Sequence, residues 1–111
     1  MIVTEDRIPD RVLELVVFTL RKGVTRKQLL GTVDAVSAWA RRQPGFISRD
    51  LSHDAEQDKW IEVVYWASLH DAETAARASE GSVQCAPMFA LIEMESALFL
   101  HGVPAITPIH A

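Results

Sequence analysis

The sequence predicts an α+β fold in which a four-stranded antiparallel sheet carries its helices on one face. Four runs rich in β-branched and aromatic residues and two amphipathic segments follow one another in the order βαββαβ. A short polar turn, 55–58, separates the second run from the third and indicates a hairpin. This is the ferredoxin-like order, so the chain itself leaves the second face of the sheet uncovered.

Local signals place each element of the first half. Val12 to Leu20 is β-branched and is predicted as strand one, which the Arg-Lys-Gly that follows brings to an end. Thr25 and Gln28 form a capping box, and the helix that they start is expected to run to about Arg42. The apolar residues at helical spacing are Leu29, Val33, Val36 and Ala40, and Pro44 and Gly45 stop the helix.

The second half repeats the pattern with a hairpin in front. Its predicted elements are strand two (46–53), strand three (59–67), a helix capped by Ser68 and ended by Gly81, a helical turn (87–91) and strand four (93–101). Residues 1–10 form a polar arm and 102–111, with two prolines, an extended tail. We therefore expect a single domain with its core between about 12 and 101.

Composition narrows the possible partners. Of the 111 residues 49% are hydrophobic, which excludes a disordered chain and suggests a second copy as partner. The net charge is -4 with the 11 basic residues dispersed, so nucleic acid is not expected. Cys85 has no second cysteine to pair with, the N-terminus lacks a secretion signal, and no apolar run is long enough for a bilayer. These features predict a cytoplasmic protein with no membrane partner.

The two central strands each present one purely apolar set and one set that contains a glutamate. The apolar sets are Leu13, Leu15 and Val17, and Ile61, Val63 and Tyr65; the mixed sets are Glu14, Val16, Phe18 and Leu20, and Trp60, Glu62, Val64 and Trp66. Since helices usually cover the apolar side of a sheet, we expect Glu14 and Glu62 to share the open face. That face remains rich in aromatic residues and should be covered by a partner or a ligand.

Three segments resemble a known family: QPGFISRDL after the first helix, IEVVYWAS ahead of the second, and the closing ALIEMESALFL. Over about 12–101 the chain is similar to the dimeric α+β barrel superfamily, and within it to antibiotic biosynthesis monooxygenase-like domains. The resemblance implies a homodimer whose two sheets pack face to face, with a cavity between each sheet and its own helices or within the barrel. Members include cofactor-independent oxygenases of polycyclic phenols, haem-degrading enzymes, isomerase-like and dehydratase-like proteins.

The resemblance implies no cofactor for this chain, because the Asn, His and Trp set of the haem-degrading members is not found. Glu14 stands where strand one of those members has its asparagine, and His70, at the start of the second helix, is what keeps haem binding as a third alternative.

Glu14 and Glu62 are the candidate catalytic groups, because burial and mutual repulsion can raise one carboxyl pKa and produce a general base. The alternative is that these carboxylates form a buried ion pair with Arg49 or Arg77, or are exposed at the rim of a barrel. His101 ends strand four and could also act as base or ligand, as could His53, though residues so placed are more often solvated. A metal site from Glu14, Glu62 and His101 lacks any recognised spacing, so no metal is predicted.

Other residues could bind rather than react. Phe18, Trp60, Trp66, Met88 and Phe89 could wall a pocket for a small aromatic ligand, and Arg49 could hold an anionic substrate. Packing in a core or dimer interface explains the same aromatic residues, and Trp39 is predicted as core. Cys85 could be a nucleophile, but buried cysteines are usually inert small hydrophobes.

Two functions remain: a small cofactor-independent oxygenase or isomerase of an aromatic or enolisable substrate, and a non-catalytic barrel that binds a hydrophobic ligand or another protein. A structural barrel should pair both glutamates with arginines, whereas an enzyme should leave at least one facing a void. If they are catalytic, Glu14→Gln and Glu62→Gln should abolish turnover with the fold intact.

Overall fold

The computed structural model describes residues 11–111, so the predicted arm 1–10 lies outside it. The strands are β1 (Val12–Phe18), β2 (Phe46–Asp54), β3 (Lys59–Trp66) and β4 (Leu98–Gly102), and the helices α1 (Arg26–Leu30), α2 (Val33–Arg41), α3 (Leu69–Glu80) and α4 (Ala86–Phe89). A 3-10 turn, Met94–Ser96, precedes β4. None of the helices described in 11–111 has the length and apolar character needed to cross a membrane.

The four strands form one antiparallel sheet in the order β2-β3-β1-β4. The predicted α+β, ferredoxin-like βαββαβ fold is confirmed. Strands β1 and β3 are the central pair, with Leu15 opposite Val63 and Val16 opposite Glu62. Because β4 pairs with the other side of β1, it brings His101 directly opposite Glu14.

The first helix is broken where one continuous helix was predicted. The capping box is present: Gln28 N donates to Thr25 Oγ1 at 3.2 Å, and Thr25 N donates to Gln28 Oε1 at 2.8 Å. The helix nevertheless ends at Leu30, and the Thr32 hydroxyl donates to the Leu29 carbonyl oxygen at 2.7 Å. Glycine at 31 and a threonine that bonds the backbone locally both weaken a helix, which explains the break.

Strands β1 and β4 are shorter than predicted. Strand β1 ends at Phe18, and Leu20 makes only an isolated bridge with Ile92. Strand β4 begins at Leu98 rather than at residue 93, because the 3-10 turn occupies 94–96. The second main helix begins as predicted, with Asp71 N donating to Ser68 Oγ at 3.0 Å. Residues 103–111 contain no helix or strand, as predicted for the tail.

The prediction of which face the helices cover was wrong. The sets that contain the glutamates lie beneath the helices: Val12, Glu14 and Phe18 on β1, and Trp60, Glu62, Val64 and Trp66 on β3, are all buried. They pack against helix residues such as Leu29, Val36, Ala72, Ala75 and Met88. The bulky aromatic side chains fill the space under the helices, and partners from other elements satisfy the two carboxylates, so burial follows side-chain size rather than the absence of charge.

The open face is therefore aliphatic. It carries Leu13, Leu15 and Val17 of β1, Ile61, Val63 and Tyr65 of β3, and Leu98 and Leu100 of β4, all partly or fully exposed. Leu98 and Leu100 are about half exposed, at 47% and 50%. A contiguous apolar surface of this kind marks a site of association.

Replacing Gly45 by alanine is expected to destabilise the fold. Gly45 has a φ of +80°, and a Cβ there would overlap the Asp71 side chain at the start of α3. Gly23→Ala is the matched control, because Gly23 also has a positive φ (+86°) but its Cβ would meet no atom within 4 Å. We expect Gly23→Ala to lose roughly 1–2 kcal/mol from the left-handed backbone alone, and Gly45→Ala to lose more in urea unfolding. Equal losses would contradict the overlap.

Candidate functional site

A cavity of about 370 Å³ lies between the sheet and its own helices. Its floor is the mixed face of β1 and β3, with Glu14, Val16, Phe18, Glu62 and Trp66. Its walls come from α2, α3, α4 and the segment before and within β4: Val36, Trp39, Ala75, Ala76, Ser79, Glu80, Cys85, Met88, Phe89, Ile92, Met94, Ala97 and Phe99. The volume lies within the usual range for pockets that bind small molecules.

Glu14 is a buried carboxyl group, 9% exposed, whose two partners come from the neighbouring strands β3 and β4. Its Oε1 accepts a hydrogen bond from Trp66 Nε1 at 3.2 Å and lies 3.0 Å from His101 Nε2. The sheet register produces both contacts, because His101 is its neighbour on β4 and Trp66 lies diagonally across β3. No residue of 11–111 hydrogen-bonds to Oε2, so this oxygen can meet a ligand in the cavity.

Burial raises the pKa of the Glu14 carboxyl above its ordinary value of 4.5. The hydrogen bond and the charge of His101 lower this pKa, the charge of Glu62 raises it, and the Trp66 hydrogen bond lowers it. Desolvation is the largest of these effects, because an ionised carboxylate loses water in a mostly apolar cavity. Glu14 is therefore a better proton acceptor than an exposed glutamate.

Glu62 has a different environment, although it is 9% exposed like Glu14. Its Oε1 is 2.8 Å from Arg49 Nη2, and the two side chains are 12% and 5% exposed. Arg49 also donates from Nη1 to Ser37 Oγ at 2.8 Å and to the Val33 carbonyl at 3.2 Å, which ties β2 and β3 to α2. A guanidinium bonded in this way holds the Glu62 carboxyl group in place.

A glutamate paired with arginine was expected of a structural barrel, and one without an arginine partner was expected of an enzyme. Each of the two carboxyl groups matches a different one of these cases. Both carboxyl groups line the cavity, but Glu62 forms the arginine pair expected of a structural group, whereas Glu14 has no arginine partner in the described chain. Within residues 11–111, the ion-pair contact of Glu14 is with His101, whose charge depends on protonation. Of the two, Glu14 is therefore the one that could exchange a proton with a ligand without breaking an arginine pair.

Four of the predicted ligand-binding residues line the cavity: Phe18, Trp66, Met88 and Phe89. Trp60 does not. It packs against the His53 ring, with centroids 4.4 Å apart, beneath the guanidinium of Arg26 at the other end of the hairpin. Arg49 lies behind Glu62 rather than on the cavity wall, with its Nε buried and without a partner in the described chain. His101 likewise lies behind Glu14.

The remaining titratable candidates lie elsewhere or are inert. His53 contacts the exposed Asp58 at 2.8 Å, and His70 is exposed at the start of α3. Cys85 lines the cavity, but burial raises the pKa of its thiol, which makes the nucleophilic thiolate scarcer. In the stretch from Arg11 onward, no cluster of three His, Cys, Asp or Glu side chains is arranged to hold a metal ion.

No functional role was predicted for the residues at the exposed end of the cavity. Met94 and Phe99 line it and are 54% and 49% exposed, and Glu80 joins them from the end of α3. Trp39, predicted only as core, also forms a wall. Residues 93–101 were predicted as one strand, in which Met94 and Phe99 fall on opposite faces. Only the 3-10 turn brings both to the cavity.

Comparison with known proteins identifies the fold. No protein-family model matches the chain, and no curated protein does. Among solved structures, a mutant of SnoaB, a cofactor-independent oxygenase from Streptomyces nogalater, is similar with a TM-score of 0.70 and 16% identity, over 88% of this chain and 96% of that one.

Two further structures agree. Rv0793 from Mycobacterium tuberculosis is similar with a TM-score of 0.64 and 19% identity, over 86% of this chain and 96% of that one. A provisionally named antibiotic biosynthesis monooxygenase from Bordetella bronchiseptica is similar with a TM-score of 0.66 and 15% identity, over 87% of this chain and 99% of that one. At these identities the comparison establishes the shared fold, and the resemblance to the antibiotic biosynthesis monooxygenase-like group of the superfamily is confirmed at that level.

Proposed function

We propose that this chain, whose fold is that of the antibiotic biosynthesis monooxygenase-like proteins, is a cofactor-independent monooxygenase of a small aromatic or enolisable substrate. One observation carries the proposal: Glu14 lines a mostly apolar cavity, its Oε1 is held by Trp66 and His101, and its Oε2 has no hydrogen-bond partner in the described chain. A positioned carboxylate of raised pKa is the base that proton abstraction from an enol, a phenol or an activated methylene requires.

The reaction begins with transfer of a substrate proton to Glu14, which leaves an enolate in the cavity. The enolate gives one electron to O₂, and the resulting radical and superoxide combine to form a C–O bond. The peroxide anion takes a proton back from Glu14, and the hydroperoxide then loses water to leave a ketone. Overall, a CH₂ group and O₂ become C=O and H₂O.

Residues of the chain itself hold the base and orient the substrate for these steps. Trp66 and His101 hold the Glu14 carboxyl group, so His101, a candidate catalytic residue in the sequence, has a positioning role. Phe18, Trp39 and Phe89 provide flat apolar walls that can orient a planar ring system over Oε2. The charge of Glu62, which Arg49 holds in place, raises the pKa of Glu14 and so favours the protonated form that follows abstraction.

Anthrone is a suitable first substrate, because it is a planar tricyclic ketone whose activated methylene loses a proton to give an aromatic enolate. We expect the purified protein to consume one O₂ for each anthrone converted to anthraquinone, faster than buffer alone. An oxygen electrode and absorbance of the quinone measure the two sides of this balance. No acceleration with anthrone or with a panel of phenolic and 1,3-diketone substrates would contradict the proposal.

A non-catalytic ligand-binding barrel is the second candidate, and a specific observation favours it: both carboxyl groups already have partners within the fold. Native mass spectrometry of freshly purified protein, compared with the denatured mass, tests it. A retained small molecule together with no O₂ consumption would favour this second function, whereas O₂ consumption with any of the substrates would exclude it.

We further propose that two copies associate through the aliphatic face of the sheet, as the superfamily resemblance implies. The helices cover the other face, and the exposed leucine and valine side chains on this one have no cover within residues 11–111. Burying them against an identical surface removes apolar area from water at about 25 cal/mol per Å². The face is self-complementary in character, since it is aliphatic throughout its centre.

Val63→Lys is expected to convert the dimer to a monomer. Val63 lies at the centre of the open face, between Leu15 of β1 and Asp50 of β2. A lysine there would place two charges against apolar surface across a twofold interface. Val83→Lys is the matched control, because Val83 is 78% exposed in a loop outside the sheet. Size-exclusion chromatography with light scattering measures the masses; a dimer that tolerates Val63→Lys, or wild-type protein that is monomeric, would contradict this interface.

A further inference from the structure

The charged side chains that line the cavity all have the same sign. They are Glu14 and Glu62 on the floor and Glu80 at the exposed end, and no lysine, arginine or histidine is among the lining residues of the described chain. The thiol of Cys85 adds no positive charge, and the Ser79 hydroxyl is engaged with the Ala76 carbonyl at 2.7 Å.

The nearest positive groups are already committed to these carboxylates. The Arg49 guanidinium is bonded to Glu62, Ser37 and Val33, and His101 contacts Glu14 from behind. With Glu62 and Glu80 ionised, the net charge of the three glutamates, Arg49 and His101 is negative or zero, whichever protons Glu14 and His101 hold. An anion entering the cavity would therefore meet no net positive charge, and no cation among the lining residues of the described chain to pair with.

We propose that the cavity selects substrates whose polar groups are neutral or cationic and rejects carboxylates and phosphates of the same ring system. This inference rests on the proposed function only in taking the cavity as the substrate site. It also reverses the expectation from the sequence that Arg49 holds an anionic substrate, because Arg49 lies behind Glu62 and outside the lining.

The size of the discrimination follows from the environment of the charges. Like charges a few ångströms apart repel far more strongly in a cavity of low dielectric than in water, and the ligand also loses its hydration. Glu80 is exposed, so its share is smaller and falls with added salt. We therefore expect Glu14 and Glu62 to determine selectivity at the floor, and Glu80 to favour cations at the entrance.

Three ligands with one ring system test the proposal: 2-naphthalenemethanol, 2-naphthylmethylamine and 2-naphthoate. Ligand-detected NMR titrations at pH 7 are expected to show the carboxylate binding at least about tenfold more weakly than the alcohol, a difference of about 1.4 kcal/mol. The amine should bind at least as tightly as the alcohol. A carboxylate that binds as well as the alcohol, or failure of all three ligands to bind, would overturn the proposal.

Glu80→Gln locates the effect in the cavity. It should reduce the preference for the amine over the alcohol at low salt, whereas Glu73→Gln, an equal change of charge on the exposed side of α3 outside the lining, should leave that preference unchanged. Equal effects of the two variants would mean that overall charge, not the cavity, sets the preference. Anthrone oxidation is measured separately, so tight binding of naphthoate by a protein that oxidises anthrone would overturn this inference and keep the proposed function.

Discussion

Glu14→Gln is expected to abolish substrate-dependent O₂ consumption while the protein stays folded. Glutamine has nearly the shape of glutamate and can still accept the Trp66 hydrogen bond through its amide oxygen. It cannot take a proton from the substrate, so the loss should be about 10²–10⁴-fold, the usual contribution of a general base. The rate of anthraquinone formation gives the activity, and circular dichroism with urea unfolding gives the integrity of the fold.

The pH dependence of the wild-type protein provides a second, independent sign of Glu14. The base must be ionised, and burial raises its pKa, so activity should rise with pH through a midpoint above 4.5. The groups that act on it are His101, Glu62 and Trp66, and desolvation outweighs them. The contribution of Glu14 to stability changes with pH in the opposite direction to activity. A carboxyl whose pKa is raised on folding stabilises the folded state at low pH and loses that contribution as pH rises through the folded pKa.

Glu73→Gln is the control for both measurements, because Glu73 is exposed on α3 and does not line the cavity. It should keep the wild-type rate and the wild-type pH profile. Glu14→Gln protein that turns over within about twofold of wild type, well short of a general base's usual share, would remove Glu14 from the mechanism. If the residual activity of Glu14→Gln rose at the same pH as the activity of the wild-type protein, the rise would belong to another group.

The fold followed from the sequence because its signals are local. The capping residues Thr25 and Ser68 mark helix starts by hydrogen bonds to backbone groups only three residues away. The hairpin turn 55–58 lies between two β-rich runs, and Asp58 there adopts a φ of +53°, which aspartate tolerates better than most residues. Strand order then follows from the few ways in which βαββαβ can pack.

The orientation of the sheet did not follow, because it depends on contacts between distant residues. Both alternating sets of β1 are largely apolar, so a period of two cannot tell which set the helices cover. The deciding contacts join Glu62 to Arg49 of β2 and Glu14 to His101 of β4, and the latter two are 87 residues apart. A sequence shows the carboxylates but not the partners that make their burial tolerable.

Only part of the candidate site could be predicted, because the rest also depends on contacts between residues far apart in the sequence. Glu14 and Glu62 share a face of adjacent strands whichever way the sheet is turned, so their proximity could be inferred from alternation. Trp60 alternates in phase with Trp66 but lies six residues further from the cavity end, where it packs on His53. Met94 and Phe99 reach the cavity only through a 3-10 turn that no spacing in the sequence indicates.

Removing either member of the Arg49–Glu62 pair is expected to destabilise the fold severely. The sequence alone predicts that Glu62→Gln leaves the fold intact, but the structure shows Glu62 as the acidic partner of an arginine that is only 5% exposed. Glu62→Gln and Arg49→Met should each lose about 3–5 kcal/mol, because each leaves a buried charge without its counterion. Activity measured on Glu62→Gln therefore reports on folding before it reports on chemistry.

The double variant Arg49→Met/Glu62→Gln separates that penalty from the net value of the pair. With both charges gone, no buried ion lacks a partner, so urea unfolding should show a loss well below the sum of the two single losses. Asp58→Asn is the control for an ion pair in water, because it removes the His53–Asp58 contact at a position 86% exposed and should change stability little. Single variants no less stable than Asp58→Asn, or a double variant whose loss equals the sum, would show that the buried pair does not hold β2, β3 and α2 together.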